Sequence, residues 1–504
     1  MTGWLRSRGG WGVLLCGLVL VVFLIRITGP SDLEGYAQHR NVGYVMDLMW
    51  GSGSWLTQHD IQGRILSKPP LHTWTIVPFA SMFGVDRLAM SLPSLLAMLA
   101  LVLLVFEAGR RRFGLLAGGL AGLAMIMAPL VSKHITLVRS DALFTLLITI
   151  AALAAWRVWE QRDGSWRGWS LFWLAGALAT LTKGPLALVL AAAGLLAVFW
   201  ERRADPATPR PRGSHVPGLL AFFGITLGWF LAAWLEQGQD LIDKMFLQEL
   251  VGHATGTARP SSSDPGENLV KPTLYLLARF LPFSLFFFYA LWRVFRRPAE
   301  DVVERRFERF LTCWVLTGLL IFSLAAHHRP DLLLPLWPAC ALLAGREMAR
   351  LAGRMGLQRF SVAAAAVLLL LLGGLFAQYH VTWGGRAENT DVSETIREAA
   401  AAFGASGLDA HALEHYGTPV TFQMYLGTVR QWRSPREIEQ LLERADGAVL
   451  VALGYKSRQD PALEAPGRVV EEVFQWPPGS RDEAVVHIYR VSPVVGTALT
   501  APAE

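Results

Sequence analysis

The sequence predicts an all-α polytopic membrane domain followed by a small α/β domain outside the membrane. The chain of 504 residues is 53% apolar, and its mean hydropathy is +0.36. Its charged fraction of 17% lies below the roughly 25% typical of soluble domains. Apolar segments long enough to cross a bilayer recur from residue 11 to residue 379, and the composition turns soluble from about residue 385.

Eleven segments approach the roughly 20 apolar residues that a membrane span needs. These are 11–28, 89–107, 115–132, 141–159, 169–182, 186–200, 216–235, 273–292, 310–326, 332–345 and 360–379. The run 69–84 is shorter and follows two prolines, so we interpret it as an interfacial or re-entrant helix rather than a twelfth span.

Arginine clusters occupy every second gap between these segments, for example residues 110–112 and 202–212. Positive charge near span ends stays cytoplasmic, so the alternation predicts a cytoplasmic N-terminus and an extracytoplasmic C-terminal domain. The net charge of +6 is spread over membrane loops, which argues against nucleic-acid binding and for contact with membrane lipids. The first apolar run lacks a small-residue cleavage site, which indicates a signal anchor.

The predicted domains are 1–384 in the membrane and 385–504 outside it. Within the membrane domain, 31–88 and 236–272 form the first and second outer loops. The C-terminal domain shows two helical and two strand patterns, with Ser434 as a predicted helix N-cap. The helices are Ser393–Phe403 and Pro435–Ala445, and the strands are Ala448–Leu453 and Ala484–Val491.

Four clusters of polar residues fall in the predicted outer gaps. They are Lys68 before two prolines, Arg139-Ser140-Asp141, Lys183 in a short turn, and the run from His327 to Asp331. Each has an ordinary alternative: a lysine that reaches the lipid headgroups, a helix N-cap for the aspartate, or a polar turn. Two adjacent histidines do not readily share one metal ion, so a phosphate or sugar contact is the preferred functional interpretation of the last cluster.

Together these clusters place carboxylates and cations at the outer lipid–water boundary. That combination suits displacement of a lipid-linked phosphate, in which a base takes a proton from an acceptor hydroxyl and cations stabilise the leaving phosphate. The three cysteines, Cys16, Cys313 and Cys340, all fall in apolar spans and are interpreted as small buried residues.

The chain resembles the multispan C-type glycosyltransferases, above all the bacterial branch with protein O-mannosyltransferases and the aminoarabinose transferase of lipid A. The resemblance rests on Gly53-Ser54-Trp55, Lys68-Pro69-Pro70, Asp141-Ala142-Leu143 and Thr182–Pro185. It implies a polyprenyl-phosphate sugar as donor, a place in the inner membrane, and phosphate contacts from Lys68 and Lys183.

The chain departs from that family at four residues. Gln38-His39 stand where the family's Asp-Glu pair is expected. Some members carry a Glu and a His that together can hold a metal, whereas this chain has Ser67 at the first position and Glu249 as the nearest match to the second. We therefore predict no metal site, with a divalent metal kept as an alternative. The departures also leave the base open among Asp141, Asp47, Asp60 and His39.

The sequence thus predicts a membrane glycosyltransferase that transfers a sugar to an extracytoplasmic lipid, glycan or protein. Asp141 is the first candidate for the catalytic carboxylate and Asp47 the second. Lys68 and Lys183 would bind phosphate. Further substrate contacts are predicted for Arg139, Arg329 and Glu249. The alternatives are an inactive polyprenyl-phosphate-binding relative or a lipid or sugar transporter, although the inverted repeats of a transporter are not evident.

Overall fold

Most of the chain is helical in the computed structural model, which describes residues 7–29, 33, 35–161, 166–251, 269–325, 328–382, 387–455, 463, 467–479 and 484–493. The helices up to residue 382 are, in chain order, α1 (Arg8–Ile27), α2 (Tyr36–Trp50), α3 (Leu71–Phe83), α4 (Arg87–Phe113), α5 (Leu115–Met127), α6 (Pro129–His134), α7 (Asp141–Gln161), α8 (Trp166–Lys183), α9 (Leu186–Ala192), α10 (Leu196–Ala204), α11 (Val216–Gln237), α12 (Gln239–Ile242), α13 (Lys271–Arg279), α14 (Phe283–Arg296), α15 (Val302–Leu324), α16 (Trp337–Met355) and α17 (Leu357–Ala377).

Shorter segments of other helical types connect or extend these helices. Two 3₁₀ segments, Ala193–Leu195 and Pro330–Leu336, precede α10 and α16. Two π-helical segments, Asp243–Val251 and Gln378–Thr382, follow α12 and α17.

Seven helical stretches within the described residues are long and apolar enough to cross a membrane, which makes the chain a multi-pass membrane protein. They are α1, α4, α7, α11, α15, the continuous stretch Pro330–Met355, and Leu357–Val381. The other four of the eleven predicted spans also coincide with helices, but these are short, end in charged residues or are interrupted. They correspond to α5, α8, the α9–α10 pair and the α13–α14 pair.

The described chain divides into two compact units. The first comprises Met1–Gly29, Leu66–Ile76 and Ser91–Thr382, and it holds the large apolar core. In this unit α7 packs against α8, and α5 packs against α16. Glycine allows the second pair to approach closely, because a Cβ at Gly345 would lie 2.6 Å from the Ala117 carbonyl oxygen.

The second unit comprises Pro30–Ile65, Val77–Met90 and Trp383–Glu504. Much of the predicted first outer loop, 31–88, thus groups with the C-terminal segment rather than with the predicted membrane domain 1–384. Local contacts explain the grouping. The Trp432 amide donates to the Ile61 carbonyl oxygen at 2.6 Å, and the His39 ring meets the Trp432 ring edge-on at 5.6 Å.

A four-stranded sheet with the order β1-β2-β4-β3 organises the C-terminal segment. Strands β1 and β2 are parallel, whereas β4 pairs antiparallel with β2 and β3. The elements are α18 (Ala387–Ala405), β1 (Leu413–Tyr416), α19 (Val420–Leu426), α20 (Pro435–Arg444), β2 (Val449–Gly454), β3 (Arg468–Trp476) and β4 (Val486–Pro493). The predicted N-cap is present as a capping box between Ser434 and Glu437. Strands β1 and β3 and helix α19 were not predicted.

Candidate active site

Asp141 occupies the first position of α7, where its carboxylate is buried inside the protein at 2% exposure. Lys183 is the last residue of α8, which packs against α7 and brings that terminus beside Asp141. The chain can turn directly after Lys183 because Gly184 adopts a φ of +106°, a conformation that favours glycine, and Pro185 follows. The packing of α7 against α8 therefore places a carboxylate and an ammonium group side by side at adjacent helix ends.

Two cations engage the Asp141 carboxylate. The Lys183 ammonium donates to its Oδ1, and the Arg139 Nε lies 2.9 Å from its Oδ2. Lys183 also lies over the Phe144 ring at 5.4 Å, which adds a cation–π contact. These contacts bring together three residues that the sequence analysis had singled out separately.

A second carboxylate, that of Asp331, completes the cluster. Asp331 lies in the 3₁₀ segment Pro330–Leu336, which packs against α6 and α7. It accepts from Arg139 at 2.8 Å and from Arg329 at 3.3 Å. Arg139 therefore bridges both carboxylates, and Arg329 joins the cluster through Asp331.

Two histidines border these carboxylates. The Nε2 atom of His134 lies 3.9 Å from Asp141 and 3.7 Å from Asp331, while its Nδ1 lies 2.8 Å from the Leu130 carbonyl oxygen. Burial is the main influence on this imidazole and lowers its pKa, against the opposing effect of the two carboxylates. At neutral pH the ring is therefore uncharged.

His72, at the start of α3, interacts electrostatically with Asp141, Lys68 and Arg139. Burial lowers the pKa of His72 to about 4, and the two cations act in the same direction, whereas the Asp141 carboxylate opposes them. Its Nε2 atom is buried with no hydrogen-bond partner in the described part of the chain. The ring therefore offers a neutral nitrogen beside the cluster.

The remaining predicted residues are placed as follows. Lys68 precedes α3 and interacts electrostatically with Asp141 and His72. Glu249 is half-buried in the π-helical segment Asp243–Val251.

Asp47 belongs to the second unit, where its carboxylate accepts from the Gly53 amide at 3.1 Å and the His59 amide at 2.7 Å. These bonds hold the Asp47 carboxylate against the loop that contains Gly53 and His59.

The other two base candidates are engaged within the second unit as well. Asp60 is buried and pairs with Arg64 at 2.7 Å, and His39 packs against Trp432. His327 lies outside the described residues, while the His328 ring lies 3.2 Å from the Ser323 carbonyl oxygen.

No group of three or more His, Cys, Asp or Glu side chains among the described residues is arranged to hold a metal ion. Ser67 and Glu249 offer a weaker donor set for a divalent metal than a Glu and a His would. We derive no chemical step through a metal.

Sequence reasoning missed His72, His134 and Asp331 as members of the cluster. His72 lies two residues after Lys68-Pro69-Pro70, and Asp331 is the last residue of the polar run that begins at His327. Both residues could therefore have been found from the motifs beside them. His134 has no such motif beside it, and its position at the end of a six-residue helix becomes meaningful only when α6 meets Pro330–Leu336.

The resulting cluster carries more positive than negative charge. Its carboxylates are those of Asp141 and Asp331, and its four cationic side chains are those of Lys68, Arg139, Lys183 and Arg329. Both histidines have lowered pKa values and add no charge at neutral pH. Two net positive charges held in a largely buried site would attract a phosphate group.

The chain is similar to several known proteins. Residues 67–229 match the family described as dolichyl-phosphate-mannose-protein mannosyltransferase, a segment that contains Lys68, Asp141 and Lys183. The chain is 26% identical over 374 residues to an undecaprenyl phosphate-alpha-4-amino-4-deoxy-L-arabinose arabinosyl transferase of Pseudomonas aeruginosa, covering 71% of this chain and 65% of that protein.

A protein of Aquifex aeolicus without an assigned function is 28% identical over 302 residues, covering 58% of this chain and 56% of that protein. A Pseudomonas fluorescens arabinosyl transferase is covered over 52% of its length. The chain therefore spans between about half and two-thirds of the length of these relatives.

Among solved structures, ArnT from Cupriavidus metallidurans bound to undecaprenyl phosphate superimposes with a TM-score of 0.72 at 18% identity, covering 99% of this chain and 100% of that one. Its apo state gives the same TM-score at 19% identity. At these identities the likeness establishes the fold. The protein is thus a multi-pass membrane protein with the fold of ArnT, and its sequence is similar to the undecaprenyl phosphate-alpha-4-amino-4-deoxy-L-arabinose arabinosyl transferases.

Proposed function

We propose that this protein is an integral membrane glycosyltransferase that moves a sugar from a polyprenyl phosphate to an acceptor outside the cytoplasm. The observation that carries the proposal is the buried cluster around Asp141, where cations outnumber carboxylates at the end of a membrane span. A lipid-linked phosphate would enter such a site from the bilayer. Its negative charge would be stabilised there most strongly as the bond to the sugar breaks.

In this proposal Lys68, Lys183 and Arg139 bind the donor phosphate. Asp141 orients Lys183 and Arg139, since both of its oxygen atoms already contact these cations. It remains the first candidate for the essential carboxylate, and Asp47 the second. Arg329 and Glu249 are kept as further substrate contacts.

The proton has a candidate acceptor in His72. This imidazole is neutral at pH 7, and its buried Nε2 has no hydrogen-bond partner in the described chain. In the proposed step the base takes the acceptor's hydroxyl proton and the hydroxyl oxygen attacks the anomeric carbon. The bond between that carbon and the phosphate oxygen breaks as the new bond forms, and the polyprenyl phosphate leaves.

For the donor sugar we propose 4-amino-4-deoxy-L-arabinose, which would make the enzyme a pentosyl transferase. Support comes from the names of several relatives, while the matching family is described by mannose, a hexose. The acceptor class is a lipid, a glycan or a protein.

Transfer by the purified protein tests this proposal. The full chain, reconstituted in lipid vesicles, would be incubated with undecaprenyl phosphate-linked aminoarabinose or mannose and with envelope lipids, glycans or proteins. Mass spectrometry would detect an acceptor heavier by one sugar residue together with released undecaprenyl phosphate. A donor that binds but is never consumed, across both sugars and all three acceptor classes, would contradict the proposal.

That outcome would favour the alternative of an inactive polyprenyl-phosphate-binding relative. Two observations favour this alternative: Gln38-His39 replace the family's Asp-Glu pair, and the Asp141 carboxylate is already engaged by two cations. A transporter would instead move the donor between leaflets without releasing the sugar.

We further propose that the N-terminus is cytoplasmic and the C-terminal domain extracytoplasmic, as the arginine alternation indicates. A single cysteine at position 111, in a chain without its native cysteines, should react with a membrane-impermeant thiol reagent only after the cytoplasmic face is opened. Labelling of R111C from outside in intact cells would reverse this orientation.

A further inference from the structure

A cavity of about 320 Å³ lies between α14 and α16, away from the Asp141 cluster. Leu285 and Phe286 contribute to the α14 wall, and Leu351 contributes to the α16 wall. Leu285 is 62% exposed, so the apolar part of the cavity opens towards the outside of the helix bundle. In a membrane this opening would face lipid.

The polar part of the cavity is built around Glu347, which is buried at 3% exposure. Its carboxylate accepts from Arg293 at 3.2 Å, Arg346 at 2.9 Å and Arg350 at 2.7 Å. These contacts tie α14 to α16 and hold the guanidinium groups of Arg293 and Arg350 at the cavity wall.

Two further carboxylates neutralise the arginines behind the wall. Glu304 accepts from Arg350 at 2.8 Å, and Glu308 pairs with Arg346. Three carboxylates thus balance three arginines, and the network is rigid and close to neutral.

Arg354 is not part of this network of ion pairs. It lines the same cavity, it is exposed, and it has no ion-pair partner within the described chain. Because Arg293, Arg346 and Arg350 are balanced by three carboxylates, Arg354 leaves the polar side of the cavity with one net positive charge. The cavity is therefore positively charged on one side and apolar on the other.

Two observations indicate where the cavity lies along the membrane normal. Asp331 and Arg350 lie near opposite ends of the stretch Pro330–Met355, roughly 30 Å apart by helix rise, which matches the thickness of the hydrocarbon core. Tyr289 and Trp292 stack on each other at 5.7 Å and are both exposed, as aromatic residues at a membrane interface are. The cavity thus lies at the headgroup level of the leaflet opposite the Asp141 cluster.

We propose that this cavity binds the headgroup of an anionic phospholipid. Arg354 contacts the phosphate, with Arg350 and Arg293 beside it, and an acyl chain lies along Leu285 and Phe286. Guanidinium groups match phosphate oxygens in geometry and charge, and basic pockets between membrane helices suit anionic headgroups. A soluble anion would use the arginines but gain nothing from the apolar wall. This site is independent of the proposed sugar transfer.

Lipid binding to the purified full-length protein tests the proposal. The delipidated protein would be titrated with phosphatidylglycerol or phosphatidylethanolamine in detergent, and bound lipid counted by native mass spectrometry. We expect phosphatidylglycerol to bind selectively. Arg354→Gln should weaken its binding roughly tenfold, because one charge-assisted contact is lost. Leu285→Trp, which fills the cavity without changing its charge, should weaken it as well.

Two matched variants lie outside the cavity, on α17. Arg359→Gln removes an exposed arginine, and Val362→Trp enlarges an exposed apolar residue. Both should bind phosphatidylglycerol like the unmodified protein. If Arg354→Gln fails to fold, as judged by gel filtration, the Leu285→Trp result decides. Equal retention of the two lipids, full competition by inorganic phosphate, or unchanged binding in the cavity-filling variant would each overturn the proposal.

Discussion

Two ionic clusters lie at opposite ends of the stretch Pro330–Met355, and they use the same side-chain chemistry in different proportions. Around Glu308 and Glu347, three carboxylates face three arginines. Around Asp141 and Asp331, two carboxylates face four cations and two neutral imidazoles. The charges of the first cluster balance, whereas the second cluster carries a net positive charge.

The difference separates a structural role from a binding role. A buried, balanced network fixes helix positions, and removal of one partner leaves an uncompensated charge. A buried network with surplus positive charge stays costly until an anion enters. Damage to the first cluster should therefore lower stability, whereas damage to the second should lower sugar transfer or donor binding.

The largest effect is expected from Asp141→Asn. Transfer should fall by about two to four decades at unchanged folding, because the amide cannot hold Lys183 and Arg139 as the carboxylate does. Initial rates with the reconstituted protein would measure this.

The matched control is Asp301→Asn. Asp301 also stands at a helix start in the first unit and caps α15 through the Glu304 amide, but it lies outside the cluster. Asparagine caps helices well, so this variant should keep its activity. Full activity in Asp141→Asn would remove Asp141 from the catalytic machinery and leave Asp47 as the next candidate.

Glu308→Gln should act on stability instead. It weakens the pairing of Arg346, which is buried at 2% exposure, and we expect a loss of about 3 kcal/mol in the free energy of unfolding. Thermal melting in detergent would show the loss, while the folded fraction should bind the donor as before. A drop in donor affinity at unchanged melting temperature would contradict the assignment of roles.

Lys183→Ala and Lys68→Ala should each weaken donor binding by about one to two decades, because each removes a charge-assisted contact to phosphate. Lys244→Ala is the control, since Lys244 contacts Gln248 at 3.1 Å. Equilibrium binding of undecaprenyl phosphate would distinguish the three. Unchanged affinity in both test variants would place the phosphate elsewhere.

The smallest effect concerns the buried histidines, one in each unit. Burial lowers the pKa of His72 to about 4 and that of His415 to about 3, with nearby cations adding to the effect. The unfolded chain takes up these protons below pH 6.5 and the folded protein does not. Stability is therefore complete above pH 6.5 and is lost as the pH falls towards 4 or 3.

Each histidine should lower the free energy of unfolding by about 1 to 2 kcal/mol between pH 6.5 and pH 5. Melting temperatures of the unmodified protein, His72→Asn and His415→Asn at both pH values would test this. Each variant should show a smaller decrease than the unmodified protein. If either variant shows the same decrease, the histidine it replaces is not held neutral.

The fold was largely predictable because the signals for spans and caps are local. Apolar runs such as 141–159 correspond closely to α7, and Ser434 begins α20 by a capping box that four consecutive residues define. Strand β3 escaped prediction because its residues alternate irregularly in burial and include two glutamates, Glu471 and Glu472. Its pairing with β4 stabilises it, and that pairing is not visible in its own residues.

The amino-acid sequence by itself determined that the chain crosses the membrane repeatedly, where its long apolar helices lie to within several residues, and that Lys68, Asp141 and Lys183 are candidate site residues. The tertiary structure alone decided which of these meet. Arg139 and Asp331 are 192 residues apart, and Lys183 and Asp141 are 42 apart. Such contacts depend on how α6, α7, α8 and Pro330–Leu336 pack together, because long-range pairing arises from helix packing that no local pattern encodes.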